Sequence, residues 1–346
     1  MRSEAPPADS DGLAVDAVTV APGADDVLVD ASLEVARGEV VAVLGGSGTG
    51  KTTLLRAVAG LERVTSGRIR WAGDDITDVA PHRRGFGLMF QDHALFPHRD
   101  VTANVAFGLR MQRRPRSARR SRVAEVLELL DIGHLAERAV ADLSGGEAQR
   151  VALGRALAPE PGLVLFDEPL SSLDRPLRDR LVVDLRALLA DLGQTALYVT
   201  HDFDEAAAVA DRIAVLRKGR VARLATPAEL RDDPGDAATA AMVGHPNVVT
   251  AVGEGSSLVT DWGEIAGWPG PQGAMAVVIA PTAVLLTPTP TGSAVVITTR
   301  VYGDAYRVIV ADDAGRQIAA SATQPPPAGA RVNVRIEMEG IRALAP

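Results

Sequence analysis

The residues best suited to chemistry form a glycine-rich stretch with one lysine and several hydroxyl side chains. The stretch consists of Gly45, Gly46, Ser47, Gly48, Thr49, Gly50, Lys51, Thr52 and Thr53. Glycine lets successive backbone N–H groups point into one concavity, which suits an anion. In a G-x-x-x-x-G-K-T pattern, Lys51 is expected to reach the β- and γ-phosphates of a nucleotide, Thr52 to bind Mg²⁺ and Thr53 to contact the α-phosphate. The pattern predicts a phosphate-binding loop.

The flanking residues predict the strand and helix that such a loop requires. Residues 39–44 are apolar and β-branched, which is typical of a short buried strand. Apolar residues then recur at helical spacing, at Leu54, Leu55, Val58 and Leu61. The lysine is itself informative, because Lys51 and Lys218 are the only lysines among 36 basic residues. A compact ammonium fits a phosphate cradle better than a planar guanidinium does.

An acidic pair supplies a second element of the chemistry. Asp167 and Glu168 follow residues 162–166, an apolar run that predicts a buried strand. One carboxylate at such a strand end holds Mg²⁺ through water, and its neighbour activates an attacking water. An Asp-Glu pair alone also fits an ordinary surface turn. The phosphate loop upstream favours the catalytic interpretation.

A second anion-binding segment lies further along the chain. Ser144, Gly145 and Gly146 open a predicted helix, where backbone N–H groups and a hydroxyl can bind a phosphate. The chain therefore carries two predicted phosphate sites.

Composition limits the classes of function. The 346 residues allow one to three domains, and the net charge of −8 argues against a nucleic-acid partner. The absence of cysteine excludes disulfides and thiolate metal sites. No apolar run is long enough to span a bilayer, and the N-terminus lacks the apolar core of a signal peptide. We therefore expect any membrane role to depend on a partner.

The order of the predicted elements indicates an α/β protein followed by a small all-β domain. Residues 1–12 are predicted to be a disordered tail. Residues 13–244 combine antiparallel strands, a strand–helix alternation typical of a mostly parallel sheet, and a helical part at about 92–160. Residues 245–346 contain short strands separated by glycine and proline, which predicts a β-barrel or sandwich.

An arginine run interrupts the helical part. Its members are Arg110, Arg113, Arg114, Arg116, Arg119, Arg120 and Arg122. No aromatic residue is interleaved and Pro115 breaks the run, so a nucleic-acid interpretation is disfavoured. A solvated helix face is the favoured interpretation, and contact with anionic lipid or a membrane subunit is the alternative.

Six motifs, in the order typical of the family, resemble those of ATP-binding cassette (ABC) ATPases. They are the Walker A loop at 45–52, the Q-loop glutamine Gln91, the signature motif at 143–150, Walker B at 163–168, the D-loop at 171–174 and the switch histidine His201. The resemblance spans about residues 13–244. It implies a RecA-like P-loop domain with an antiparallel β subdomain and a helical subdomain, and an oligonucleotide-fold-like C-terminal domain.

The resemblance also implies roles for these residues. ATP would lie between the two subunits of a head-to-tail homodimer, held by Lys51, Thr52 and Thr53 of one subunit. Ser144 and Gly146 of the other subunit would close over its γ-phosphate. Asp167 and Gln91 would serve Mg²⁺. Glu168 would polarise the attacking water, and His201 would sense the γ-phosphate.

Residues 90–98 are similar to the importer branch of the family. This implies a subunit bound to the cytoplasmic face of the cell membrane, partnered by two transmembrane permease subunits and, indirectly, by an extracytoplasmic solute-binding protein. The permeases would dock near Gln91 and residues 92–107. Ferric iron or thiamine is the expected solute.

Some features depart from the family pattern or leave alternatives open. Residues 18–23 lack the aromatic side chain that usually stacks on adenine, so GTP use remains open. Ala148 replaces a polar residue, and residues 279–282 lack the charges that relatives carry there. The alternative functions are a soluble ABC ATPase in DNA repair or translation, a nucleotide-dependent sensor, and an exporter.

Overall fold

The computed structural model describes residues 11–21, 27–92, 94–171 and 173–345. The chain divides into two compact units between Pro227 and Ala228. Most of the predicted tail, residues 1–10, lies outside the described residues, and the first strand begins at Leu13. Within these described ranges, none of the helices combines the length and the hydrophobicity that spanning a bilayer requires.

The first unit contains ten strands and seven helices within its described residues. Its strands are β1 (Leu13–Val20), β2 (Leu28–Val35), β3 (Val40–Leu44), β4 (Ser66–Trp71), β5 (Asp74–Asp75), β6 (Phe86–Met89), β7 (Leu163–Asp167), β8 (Thr195–Thr200), β9 (Arg212–Arg217) and β10 (Arg220–Ala225). Its helices are α1 (Lys51–Ala59), α2 (Val101–Val105), α3 (Phe107–Met111), α4 (Arg116–Leu129), α5 (Gly145–Leu157), α6 (Arg175–Asp191) and α7 (Phe203–Val209).

A six-stranded sheet, in the order β10-β9-β3-β8-β7-β6, aligns the predicted site. All its pairs are parallel except β9 with β10, and β3, β7 and β8 are buried at every position. In this register Leu44 lies beside Thr200, and Asp167 lies beside Val199. The phosphate loop, the acidic pair and His201 therefore leave the sheet at the same carboxyl edge.

A separate antiparallel sheet, in the order β2-β1-β4-β5, shares a core with α1. Arg84 fixes the end of α1, because its buried guanidinium donates to the carbonyls of Ala57 and Val58 at 3.0 and 2.8 Å. A cation at the carbonyl end of a helix is favourable. Both predictions, the parallel sheet and the antiparallel subdomain, are confirmed.

The first half of the predicted helical part is divided among three helices. These are α2, α3 and α4, and Pro115 lies immediately before α4. Between α3 and α4, Arg113 has a φ of 54°, in the left-handed region, so α3 does not continue into α4. Buried Asn104 fastens the segment before α2, since its side chain accepts from Phe96 N at 2.9 Å and donates to Phe96 O at 3.2 Å.

The C-terminal unit is a sandwich of two five-stranded antiparallel sheets, and side chains from both sheets form one core. Its strands are β11 (Val248–Glu254), β12 (Ser257–Thr260), β13 (Gly263–Ala266), β14 (Gly273–Ile279), β15 (Val284–Pro288), β16 (Ala294–Tyr302), β17 (Ala305–Asp312), β18 (Gln317–Ala322), β19 (Arg331–Ile336) and β20 (Ile341–Ala343). The strand orders are β13-β12-β11-β14-β20 in one sheet and β15-β19-β16-β17-β18 in the other.

This unit begins earlier than residue 245, the predicted boundary. Helix α8 (Pro227–Asp232) starts at the division, and α9 (Ala237–Met242) follows it. Ala240 of α9 packs with Val278 and Leu344 of the sandwich. The two helices therefore extend the C-terminal unit.

Candidate nucleotide site

The phosphate loop connects β3 to α1 through a backbone that depends on glycine. Gly48 and Gly50 have φ angles of 76° and 101°, which side-chain-bearing residues rarely adopt. A Cβ added to Gly50 would also lie 2.8 Å from Leu28 Cδ2. At Gly46, by contrast, the nearest atom to an added Cβ is Thr49 Cγ2 at 3.9 Å. The loop is therefore closely packed at Gly50 and open at Gly46, where a phosphate could approach.

Lys51 places its ammonium between this loop and the acidic pair. Its side chain is only 6% exposed, and Nζ donates to Gly46 O at 3.0 Å. Nζ also lies 3.7 Å from Glu168 Oε1. A buried ammonium held by a loop carbonyl and a carboxylate is already desolvated for contact with phosphate oxygens.

Thr52 and Asp167 bring two oxygen ligands together from distant parts of the chain. Thr52 Oγ1 donates to Asp167 Oδ1 at 3.0 Å. Burial raises the pKa of Asp167 and the neighbouring Glu168 charge raises it further, while the Thr52 hydrogen bond opposes the shift. Gln91 and Asp167 line one open cavity. Hydroxyl, amide and carboxylate oxygens are the donors that Mg²⁺ prefers, so this set fits Mg²⁺.

Glu168 has an unusual backbone conformation. Its φ is 44°, in the left-handed region that costs a non-glycine residue about 1–2 kcal/mol. Its N–H donates to Val199 O at 3.0 Å, and Ser171 Oγ donates to its carbonyl at 2.9 Å. These bonds hold the strained turn. The carboxylate then reaches His201, whose Nδ1 lies 3.1 Å from Oε2.

A buried network beneath His201 was missed by the sequence analysis. Glu205 accepts hydrogen bonds from the Tyr198 hydroxyl and, at 2.9 Å, from Thr200 Oγ1. Asp202 caps α7, since Oδ1 accepts from Glu205 N at 3.1 Å. Glu205 is only 7% exposed. The network joins the end of β8 to the start of α7, and His201 lies between them. An acid preceding an otherwise apolar run, residues 206–210, was the available signal.

The structure does not bring the second predicted anion site to the phosphate loop. Among the described residues, no hydrogen bond or ion pair joins Ser144, Gly145 or Gly146 to the loop. Ser144 instead caps α5 in a capping box with Glu147. Its N–H and hydroxyl both donate to Glu147 Oε2 at 2.7 Å. A carboxylate thus occupies the two Ser144 donors of the predicted phosphate site.

Comparison with known proteins places this geometry in a family. A family model described as "ABC transporter" matches residues 28–171. The Fe(3+) ions import ATP-binding protein FbpC of Streptomyces avermitilis is 47% identical over 96% of this chain and 98% of its own length. The spermidine/putrescine import ATP-binding protein PotA of Thermobifida fusca is 46% identical over 64% of this chain and 58% of its own length.

A solved structure agrees with the fold. The chain is similar to cbiO1 of Clostridium perfringens, part of the ABC transporter complex cbiONQ, with a TM-score of 0.59 and 30% identity. The match covers 64% of this chain and 91% of that one. The predicted family, its importer branch and its ATPase activity are confirmed by these relatives. The chain belongs to the ABC transporter family, as an ATP-hydrolysing subunit of an import system.

Proposed function

We propose that the chain hydrolyses Mg²⁺-bound ATP in a head-to-tail homodimer and drives the uptake of ferric iron through separate membrane subunits. The observation that carries the catalytic part is the convergence of Lys51, Thr52, Asp167, Glu168 and His201 at one sheet edge. Each supplies a different group that phosphoryl transfer requires.

The residues of this cluster divide the chemistry between them. Lys51 and the N–H groups of the loop contact the β- and γ-phosphates, and Thr53 contacts the α-phosphate. Thr52, Asp167 and Gln91 would hold Mg²⁺, which supplies positive charge against the phosphate oxygens. Glu168 accepts a proton from the attacking water, and His201 restrains the Glu168 carboxylate and reports on the γ-phosphate.

The separation of Ser144 from the phosphate loop supports a dimer. A second chain related by a two-fold axis would bring its Ser144, Gly145 and Gly146 to the γ-phosphate bound by the first chain. By symmetry, the first chain would do the same at the phosphate loop of the second. In that arrangement ATP is sandwiched and each chain contributes to both sites. Residues 18–21 offer no aromatic ring to stack on adenine, and residues 22 and 23 of the same segment lie outside the described residues.

Residues 94–107 are the proposed docking surface for two permease subunits at the cytoplasmic face of the membrane. This segment follows Gln91 directly, so it links docking to the nucleotide. Phe96 packs on Phe107 with ring centroids 4.6 Å apart, and Arg99 lies 5.0 Å from the Phe96 ring centroid. Asn104 holds Phe96 in place. The rigid segment can therefore transmit movement rather than absorb it. An extracytoplasmic binding protein would deliver the solute to the permeases.

Ferric iron is favoured over polyamines by the extent of the similarity. The Fe(3+) import relative matches almost the whole chain, including the C-terminal unit, at 47% identity. The spermidine/putrescine relative matches only 64% of the chain. Thiamine, the other predicted solute, has no such support among these relatives.

Uptake in the native cell tests the proposal. A strain that carries Glu168→Gln in place of the wild-type chain should lose uptake of labelled ferric ion and keep uptake of labelled spermidine and thiamine. Purification of the tagged chain from its membranes should recover two polytopic permeases. Unchanged ferric uptake would contradict the assigned solute, and recovery with soluble partners alone would contradict the transport role.

A further inference from the structure

Two of the seven arginines between residues 110 and 122 have a structural role. Arg114 Nη2 lies 2.6 Å from Glu160 Oε2. Arg122 Nε lies 3.7 Å from Glu160 Oε1 and donates to Ala158 O at 3.3 Å. These two arginines fasten the start and the second turn of α4 to the segment that leads into β7.

The other five arginines form a separate group, here called the basic patch: Arg110, Arg113, Arg116, Arg119 and Arg120. Within the part of the chain that the structure describes, none of the five side chains makes a hydrogen bond or an ion pair. Four are exposed and Arg119 is half-buried. The fold therefore leaves five positive charges together at the surface of a chain whose net charge is −8.

The basic patch costs helix stability. Pro115 precedes α4 without a side-chain cap, and the first turn contains no acidic residue. Arginines at this end oppose the helix dipole. Arg116 is also three and four positions from Arg119 and Arg120, spacings at which like charges destabilise a helix. Helix formation does not explain these residues.

The patch also continues a buried face of α4. The buried positions of α4 are Val123, Val126 and Leu127. When the same three- and four-residue spacing is continued toward the start of the helix, it reaches Arg116, Arg119 and Arg120. The first turns of α4 thus present arginine where an apolar side chain would otherwise be expected. Arginine stems cover apolar surface while their heads stay in a polar layer. Met111, beside Arg110, is 65% exposed.

We propose that the basic patch binds the anionic headgroups of phospholipids, with Met111 at the edge of the acyl layer. Positive heads on apolar stems, next to an exposed apolar side chain, suit a membrane interface. Residues 110–122 include no aromatic side chain on which a nucleobase could stack. The orientation rests on the proposed function, because permeases docked at residues 94–107 would bring the adjoining patch toward the bilayer.

Vesicle co-sedimentation of the purified full-length chain tests the proposal without permease or nucleotide. The probes are phosphatidylcholine vesicles with and without phosphatidylglycerol, at about 0.1 M salt, where charges interact over about 10 Å. The test variant is Arg116→Gln/Arg119→Gln/Arg120→Gln. The control, Arg83→Gln/Arg300→Gln/Arg335→Gln, removes the same charge from exposed positions elsewhere. Thermal unfolding and ATPase activity, measured in parallel, establish that both variants fold.

The chain should bind only the anionic vesicles, and binding should weaken as salt is raised. The test variant should lower the partition coefficient roughly 100-fold, as expected for three basic residues lost from an anionic surface. The control should change it less than about threefold. Equal binding by the test variant, or no vesicle binding by the wild-type chain, would overturn the proposal. The proposal would also be overturned if the test variant still bound the vesicles but no longer bound a single-stranded oligonucleotide. ATPase activity is independent of these outcomes, so the proposed function would fail separately.

Discussion

His201 and Glu168 are in contact although they lie 33 positions apart in the chain, with Nδ1 of the imidazole 3.1 Å from Oε2 of the carboxylate. The other carboxylate oxygen faces Lys51 Nζ at 3.7 Å. The proposed base is thus restrained on both sides. An ionised Glu168 can only accept, so the contact requires a proton on His201 Nδ1.

The two lysines of the chain offer a matched test of the phosphate loop. Lys51→Arg should lower ATP hydrolysis by on the order of 100-fold, because a planar guanidinium cannot occupy the buried position between Gly46 O and Glu168. Lys218→Arg, the same change at an exposed turn, should leave the rate unchanged. Phosphate release measures both. Equal effects of the two substitutions would show that the loop has no special need for lysine.

Glu147 is predicted to weaken the engagement of ATP. Its carboxylate accepts from both donors of Ser144, and its charge would repel a γ-phosphate there. Glu147→Gln keeps a side chain that can complete a capping box and removes the charge. We expect the ATP concentration for half-maximal dimerisation to fall roughly 2–5-fold, because the charge removed lies at a helix N-terminus close to the γ-phosphate. Light scattering as a function of ATP concentration measures this half-maximal concentration. The control is Glu128→Gln, at an exposed position of α4. A higher requirement for ATP would count against this account.

The network around Glu205 is predicted to be a large contributor to stability. Glu205→Ala leaves the buried hydroxyls of Tyr198 and Thr200 without their acceptor. The free energy of unfolding should fall by about 2–5 kcal/mol. Glu128→Ala, at an exposed position, should change it by less than about 0.5 kcal/mol. Urea unfolding, monitored by circular dichroism, gives both free energies of unfolding. Similar losses in the two variants would contradict a stabilising role for the network.

The same network predicts a pH dependence. Burial raises the pKa of Glu205, and Asp202 raises it too, while the hydrogen bonds from Tyr198 and Thr200 and the charge of Arg178 oppose the shift. The folded chain therefore retains a proton that the unfolded chain releases. This stabilisation is complete below the ordinary glutamate pKa of about 4.3 and is lost as pH rises through the folded value.

Glu205→Gln does not titrate, so its stability relative to the wild-type chain should rise as pH increases through that window and level off above it. Urea midpoints of the two proteins from about pH 4, near the ordinary glutamate pKa, to about pH 8 make the comparison. A constant difference across this range would contradict the raised pKa.

Local patterns predicted much of the fold and the site. We could predict the strand, the glycine-rich loop and the helix around Lys51 because each has a local sequence pattern. The contact between Glu147 and Ser144 could also have been predicted, since a serine followed three residues later by a glutamate is the capping-box signature. Strands as short as β13 and β20 were missed, because a few residues give no clear alternation. The hydrogen bond between Glu205 and Tyr198 depends on how α7 packs against β8. No short-range sequence rule predicts that packing.

Phosphate release by Glu168→Gln tests the central claim most directly. The variant keeps a hydrogen-bonding side chain next to Lys51 and His201 and loses the ability to accept a proton from water. We predict that it forms an ATP-dependent dimer on size-exclusion chromatography and that its turnover falls at least about 100-fold below the wild-type rate. Turnover at the wild-type rate, with or without the dimer, would contradict the assignment of Glu168 as the base.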